Sequence, residues 1–338
     1  MSIKVSGFGT HEGRRVDQFH LVSETGVEVD IIGYGVAVRD WRVPVAGGLR
    51  SVVMGFERFE DYPRYSEHFG SIAGRVANRI ANARFALDGE MVQLEPNLGP
   101  HQLHGGARGL GVQVWDGEAD SASNTVRFKL FSPDGDMGYP GNVAFEALYR
   151  LAGNRLELTL TGVPDRKTPV SLVQHHYFNL GTGDDVLDHR LSVAADARTV
   201  LDENLVADGT IVPVRGTWHD LRAGRTLRDE AGAPLDFDGN YCLDTGRDPA
   251  MPVAEVFGPD GALRLKLFTD RPGLQVYNSV WCDIPVPGLN GRRYGKYAGL
   301  CLEDQMFPNA VNQRHFPDIM VTPEKPYRHW CAIEIGAA

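Results

Sequence analysis

Apolar and charged side chains alternate with a period of two along several stretches of this chain, and that period commits them to sheet with one wet face. In the run VRFKLF at 126–131, Val126, Phe128 and Leu130 alternate with Arg127 and Lys129. LRLKLF at 263–268 repeats the pattern with Leu263, Leu265 and Leu267, and RLELTLTG at 155–162 does so with Leu156, Leu158 and Leu160. Turn formers punctuate these stretches: Asp88-Gly89, Gly138 to Gly141, Gly153-Asn154, Asp208-Gly209, Asp238-Gly239 and Asp260-Gly261. Strand and turn repeated this often predict antiparallel architecture rather than alternating βαβ units. Helical turns are expected only around 57–67 and 218–223. The expected fold is all-β, a large antiparallel β-sandwich of two sheets packed face to face. No linker or charge block divides the chain, so one domain over 1–338 is expected. The alternative is two smaller β domains divided near 162–170, where Gly162, Pro164 and Pro169 cluster.

Lys plus Arg number 34 against 44 Asp plus Glu, a formal net charge of -10. Such a surface repels phosphate backbones, which argues against nucleic acid as a partner. The first residues lack the apolar core of a signal peptide, and no apolar stretch is long enough to span a bilayer. A cytoplasmic protein without membrane attachment, monomeric or homodimeric, is expected. Cys242, Cys282, Cys301 and Cys331 are widely spaced among apolar neighbours and read as buried free thiols.

The polar residues that carry chemistry lie far apart. Glu303 sits among Leu302, Met306 and Phe307, where a carboxylate gains proton affinity and approaches the range useful to a general base. A buried charge paired with an arginine such as Arg79 is the competing role. His175 and His176 lie in the apolar run SLVQHHYFNLG, and on a strand they point opposite ways, so one reaches a cleft while the other packs. His101 and His104 occupy the glycine-rich loop GPHQLHGG, where Gly105 and Gly106 permit a ligand to approach closely. Asn78 and Arg79 follow the same logic: an arginine in a β cleft offers a planar fork to two hydroxyls, whereas on the surface it does nothing specific. No HxxxH, HExxH or close Cys/His group exists among the 11 histidines, and no phosphate-binding glycine loop occurs. Neither a metal nor an organic cofactor is expected.

Taken in order, FGSIAGRVANRI, LHGG, GYPG at 138–141, HHYFNL, FDGNYCL at 237–243, PGLQVYNS at 272–279 and LEDQMFPNAVN at 302–312 closely resemble the aldose 1-epimerase family, the galactose-mutarotase type. The resemblance runs over essentially the whole chain. It implies a β-sandwich of the galactose-mutarotase type and a cofactor-independent isomerase that interconverts the α and β anomers of a free monosaccharide. It further implies that Glu303 is the base at the sugar's O1 hydroxyl and His175 the acid at the ring oxygen. His104 would donate a hydrogen bond near that oxygen or to neighbouring hydroxyls. Asn78, Arg79, Asp238 and Gln275 match the positions that grip ring hydroxyls.

His176 stands where the family usually has a small or hydroxyl residue, Gly239 where a histidine is common, and Gln102 where asparagine is usual. The first two are expected to reshape the pocket around the outer hydroxyls. A hexose-phosphate 1-epimerase is the nearest rival, and it would need Arg39, Arg42, Arg75 or Arg108 around the phosphate. A catalytically silent sugar-binding or regulatory protein is the rival from another class.

Overall fold

Residues 2–66, 68–244 and 246–338 are described by the computed structural model. An eight-stranded sheet runs in the order Asp116–Asp120, Thr125–Ser132, Val143–Ala152, Arg155–Pro164, Tyr327–Ala337, Leu263–Thr269, Ala254–Phe257, Arg190–Val193. A six-stranded sheet follows the order Tyr177–Phe178, Leu300–Gln305, Gly273–Tyr277, Asp238–Leu243, Ala195–Leu201, Ala207–Pro213. A five-stranded meander covers Ser2–His11 to Gly48–Ser51. Ladders among the described residues pair antiparallel, as the turn spacing predicts.

The alternating runs become strands whose apolar side lies inside. Leu263, Leu265 and Leu267 are fully buried, as are Val126 and Phe128, and each contributes roughly 1.5–3 kcal/mol by leaving water. Both large sheets and the meander feed one apolar cluster extending from Phe19 to Ile335. Strands from either side of 162–170 lie side by side, since Arg155–Pro164 pairs with Tyr327–Ala337. Asp88 and Gly89, both at positive φ, close the hairpin Arg84–Leu87 to Glu90–Gln93, because a two-residue turn matching strand twist requires that backbone.

Among the described residues helix is confined to Phe59–Asp61, Tyr62–Tyr65 and a few isolated 3-10 turns, so the expectation near 57–67 is met in part. Residues 218–223 form no helix. There Asp220 N–H closes a turn on Thr217 O, and the Asp220 carboxylate takes two hydrogen bonds from Arg222, so local side-chain bonding outcompetes a helical turn. All four cysteines are free, three of them buried and Cys242 half-buried. No helix among the described residues is long and apolar enough to cross a membrane.

The six-stranded sheet positions the chemistry through strand parity. Gln275 pairs with both Asn240 and Glu303, and Tyr277 pairs with both Asp238 and Cys301. These residues therefore share one face. Leu274, Val276, Leu300 and Leu302 take the other face and join the core.

Candidate active site

On the polar face of that sheet lies a cavity of about 320 Å³, a size that suits a small ligand. Asp238, Gln275, Tyr277 and Glu303 form its sheet side, with His175 and Tyr177 from the adjoining segment. Asn78 and His104 reach in from turns and Arg79 from the short strand Arg79–Ile80, and Trp281 stands at the rim with 65% of its surface exposed. All seven site residues expected from the sequence, Asn78, Arg79, His104, His175, Asp238, Gln275 and Glu303, line this one cavity.

Glu303 is buried, and its Oε2 has no hydrogen-bond partner. The nearest basic atom is His175 Nε2 at 3.6 Å. Burial drives the Glu303 carboxyl well above its ordinary range, the charge of Asp238 adds to that, and Arg79 opposes it. Burial likewise drives the His175 imidazole well below its ordinary range, with His68 contributing repulsion. The two side chains thus form a coupled pair in which each environment disfavours the charged form. The competing role, a pair of Glu303 with Arg79, is not formed, and the guanidinium lies toward Asp238, 3.8 Å from its Oδ2.

His104 is oriented from both sides. Its Nδ1 accepts the Asn78 backbone N–H at 3.3 Å, and its own backbone N–H donates to Asn78 O at 3.0 Å. A neutral imidazole with Nδ1 accepting carries its proton on Nε2, so His104 is left with a donor. Burial holds it neutral by lowering its proton affinity far below the usual histidine range. The glycines that follow serve a different purpose from the one the sequence suggests. A Cβ on Gly105 would lie 1.9 Å from Gly74 O, so the close approach is that of a neighbouring protein loop.

Asp238 is held at Oδ1 by Gln275 Nε2, 2.6 Å away, and at its other oxygen by Arg79. Burial raises its proton affinity, while Arg79 and Gln275 counter it. Carboxylate, amide and guanidinium together present acceptors and donors side by side, an arrangement suited to hydroxyls.

Three sequence expectations need correction. His176 does not border the cavity: it is buried against Phe178, with neither ring nitrogen hydrogen-bonded, and burial lowers its pKa to about 3. Gly239 occupies the opposite face of its strand from Asp238 and has open space where a side chain would be. Neither residue shapes the pocket around a ligand. Nor do Arg39, Arg42, Arg75 and Arg108 gather there. Arg39 bonds Glu57, Arg42 bonds Glu28 and Asp30, Arg75 is spent on Ser132, Pro133 and Gly141, and Arg108 borders a different depression. His101 and Gln102 are structural, with His101 Nδ1 accepting the Asn82 N–H and Gln102 bonding Glu95 O and Tyr139.

Over residues 17–334 the sequence matches the family described as aldose 1-epimerase. The chain belongs to the aldose 1-epimerase family. It is 38% identical to the galactose mutarotase of Sus scrofa over 333 residues, covering 96% of this chain and 94% of the relative. The aldose 1-epimerase of Escherichia coli K12 is 32% identical over 318 residues, 91% of each chain. Among solved structures, the fold resembles an aldose epimerase homologue from C. elegans with a TM-score of 0.89 and 26% identity, covering 94% of this chain and 98% of the other. Galactose 1-epimerase from Lactobacillus acidophilus follows at 0.85 and 25%, covering 99% and 98%. The fold is the mutarotase-type β-sandwich.

Within this family member, His68, Tyr277 and Trp281 line the cavity without having been singled out in the sequence. The His68 ring lies tilted 4.7 Å from that of His104 and stacks 5.8 Å from that of His175, and burial lowers its pKa to about 4. Ser66 and His68 share the SEHFG segment directly before FGSIAGRVANRI, and that adjacency was the available signal. Trp281 carried none, because an aromatic beside Cys282 reads as core.

His104, His175 and Glu303 also place donor atoms within 4.8 Å of one another, and their types are those of a zinc-like set. The acid/base reading developed below uses the same three atoms for protons. If these residues carry protons rather than a metal, dialysis against EDTA is expected to leave the catalytic rate within about twofold. A chelated protein that loses activity and regains it with added zinc would assign these residues to a metal instead.

Proposed function

We propose that this chain catalyses mutarotation of a free aldose, using Glu303 and His175 as the proton-transferring pair. The observation that carries the proposal is the unpartnered Oε2 of Glu303, buried 3.6 Å from His175 Nε2 in a cavity whose remaining polar groups suit hydroxyls. An orphaned carboxylate oxygen is costly unless a ligand completes it. A sugar O1–H fills that role.

Glu303 takes the O1 proton while His175 delivers one to the ring oxygen, and the C1–O5 bond breaks as the C1–O1 carbonyl forms. Rotation about C1–C2 presents the other face of the aldehyde. Reclosure returns the proton from O5 to His175 and gives O1 the proton from Glu303, so the protein ends as it began. This cycle needs one proton on the pair, carried by His175 at the start. In the empty cavity burial favours placing it on Glu303. Sugar hydroxyls donating to the carboxylate supply the stabilisation that water no longer gives, and they move the proton toward His175. His104 Nε2–H donates near the ring oxygen, while Arg79, Asp238, Gln275 and Asn78 fix the outer hydroxyls.

Relatives described as galactose mutarotase make galactose the first sugar to test, beside glucose, a pentose and a 6-deoxy sugar. A sugar phosphate is the poorer fit, since Arg79 is the sole Arg or Lys among the cavity residues and it is engaged by Asp238. The optical rotation of freshly dissolved α-D-galactose should relax to its anomeric equilibrium faster with the protein than without it. Equal relaxation rates across the whole sugar panel would reject the proposal and favour a silent binder.

A further inference from the structure

Glu303 and His175 come from segments more than a hundred positions apart, and the mechanism requires their reacting atoms to keep a fixed separation. We propose that Gln174 is a positioning residue for the reaction, a clamp that sets the catalytic acid against the catalytic base, with Asp304 and His329 as its anchor. The inference rests on the mutarotase reading above.

Gln174 is fully buried and immediately precedes His175. Its Nε2 donates to Leu302 O at 2.6 Å and to Asp304 Oδ1 at 3.2 Å, so a single amide straddles the two residues that flank Glu303. Its Oε1 accepts the backbone N–H of His176 at 3.2 Å, and thereby grips the residue on the far side of His175. The acid and the base are each bracketed by bonds to one side chain. The short ladder Tyr177–Phe178 to Leu300–Gln305 pairs only Tyr177 with Cys301 and Phe178 with Leu300, so backbone pairing stops before it reaches Glu303. Gln174 supplies the link there.

The anchor continues across the sandwich. Asp304 lies next to Glu303 on the strand and faces away from the cavity. Its Oδ2 accepts Thr269 Oγ1–H at 2.5 Å and His329 Nε2–H at 2.6 Å, both from the eight-stranded sheet. The His329 ring also reaches Tyr327 through its second nitrogen. Its Nδ1 lies 3.4 Å from Tyr327 Oη, which accepts the Leu172 N–H at 3.0 Å. The path from Leu172 through Tyr327, His329, Asp304 and Gln174 closes on the chain two residues from its start. Asp304, His329 and Cys331 resemble a metal donor set, but the 2.6 Å separation of Asp304 from His329 is that of a direct hydrogen bond and leaves no space for an ion between them.

A clamp of this kind acts on the barrier rather than on sugar binding, because none of the Gln174 hydrogen bonds goes to Asn78, Arg79, Asp238 or Gln275. The test compares wild type with Gln174→Met, similar in length but without the amide, in mutarotation kinetics and in calorimetric titration with 1,5-anhydrogalactitol. That probe keeps the ring hydroxyls and lacks the anomeric one, and its binding stoichiometry reports the folded fraction. Gln174→Met is expected to lower kcat per folded site about tenfold to a hundredfold. The KM and the affinity for the probe should stay within about twofold, since neither depends on the separation of acid and base. Gln174→Asn, shorter but with an amide, should recover part of the lost kcat and serves as the second variant if the methionine protein does not fold. The inference is overturned if kcat per folded site is unchanged in both variants, or if probe affinity and kcat fall in parallel, which is the signature of a damaged site. A wild type that fails to accelerate mutarotation rejects the functional proposal itself, whereas an active wild type with indifferent variants rejects the clamp alone.

Discussion

Glu303→Gln is expected to lower kcat for mutarotation by about 10²–10⁴-fold, the usual worth of a positioned general base. The substitution keeps the shape of the side chain and its place on the strand Leu300–Gln305, so the cavity and the hydroxyl contacts survive. KM should therefore change little, which separates a chemical defect from a binding defect. His175→Asn should cost a comparable factor, and the double variant little more than either single one, because acid and base act as a unit. Initial polarimetric rates at saturating sugar decide the matter. Unchanged turnover in Glu303→Gln would remove the carboxylate from the mechanism.

The second large effect concerns acid. His176 and His189 are almost fully buried, and burial lowers their pKa to about 3 and about 4 from an ordinary 6.5. His189 Nε2 also accepts the Leu180 N–H at 2.9 Å, a bond that a proton on that nitrogen would abolish. In the unfolded chain both rings protonate near 6.5. Between that value and the depressed folded one, the unfolded state holds more protons, so stability that is fully present above 6.5 is lost as the pH falls through this window. Each such histidine contributes a slope of about 1.4 kcal/mol per pH unit. Glu303 and Asp238 act in the opposite sense, since their folded proton affinity is raised, but they are two groups against His68, His104, His175, His176, His189 and His219. Urea midpoints measured from neutral pH down to about pH 4.5 should fall steeply, and His176→Met should flatten the curve. A wild-type midpoint constant over that range would contradict the neutral burial of these rings.

The sequence made the sheet residues legible for a simple reason. Val126, Phe128, Leu263 and Leu265 carry their orientation in their spacing, because strand parity is a local property. The same parity predicted that His175 and His176 diverge, although it left open which one meets the ligand. What lay beyond the sequence was long-range placement. Arg39, Arg42 and Arg75 looked available for an anionic ligand only because their partners Glu57, Asp30 and the Ser132–Gly141 turn are remote in sequence. His68 and Trp281 were passed over because their type and neighbours are ordinary, and the loops that bring them to the cavity obey no period. Nothing local marks Gln174, since its worth depends on two partners that flank a third residue far away.

Alternation along Asp238–Leu243, Gly273–Tyr277 and Leu300–Gln305 gives these strands two independent alphabets. Residues of one parity face the cavity side and those of the other spell the interior. Point changes at Gln275 or Tyr277 can rewrite substrate choice while the interior reads as before. A single inserted or deleted residue is another matter, because it exchanges the alphabets and would turn Asp304 toward the sugar and Glu303 into the hydrocarbon. Variation in these three strands is thus open to substitution and closed to changes of length, which makes their lengths, more than any one side chain, the part of the site that evolution or a designer must leave alone.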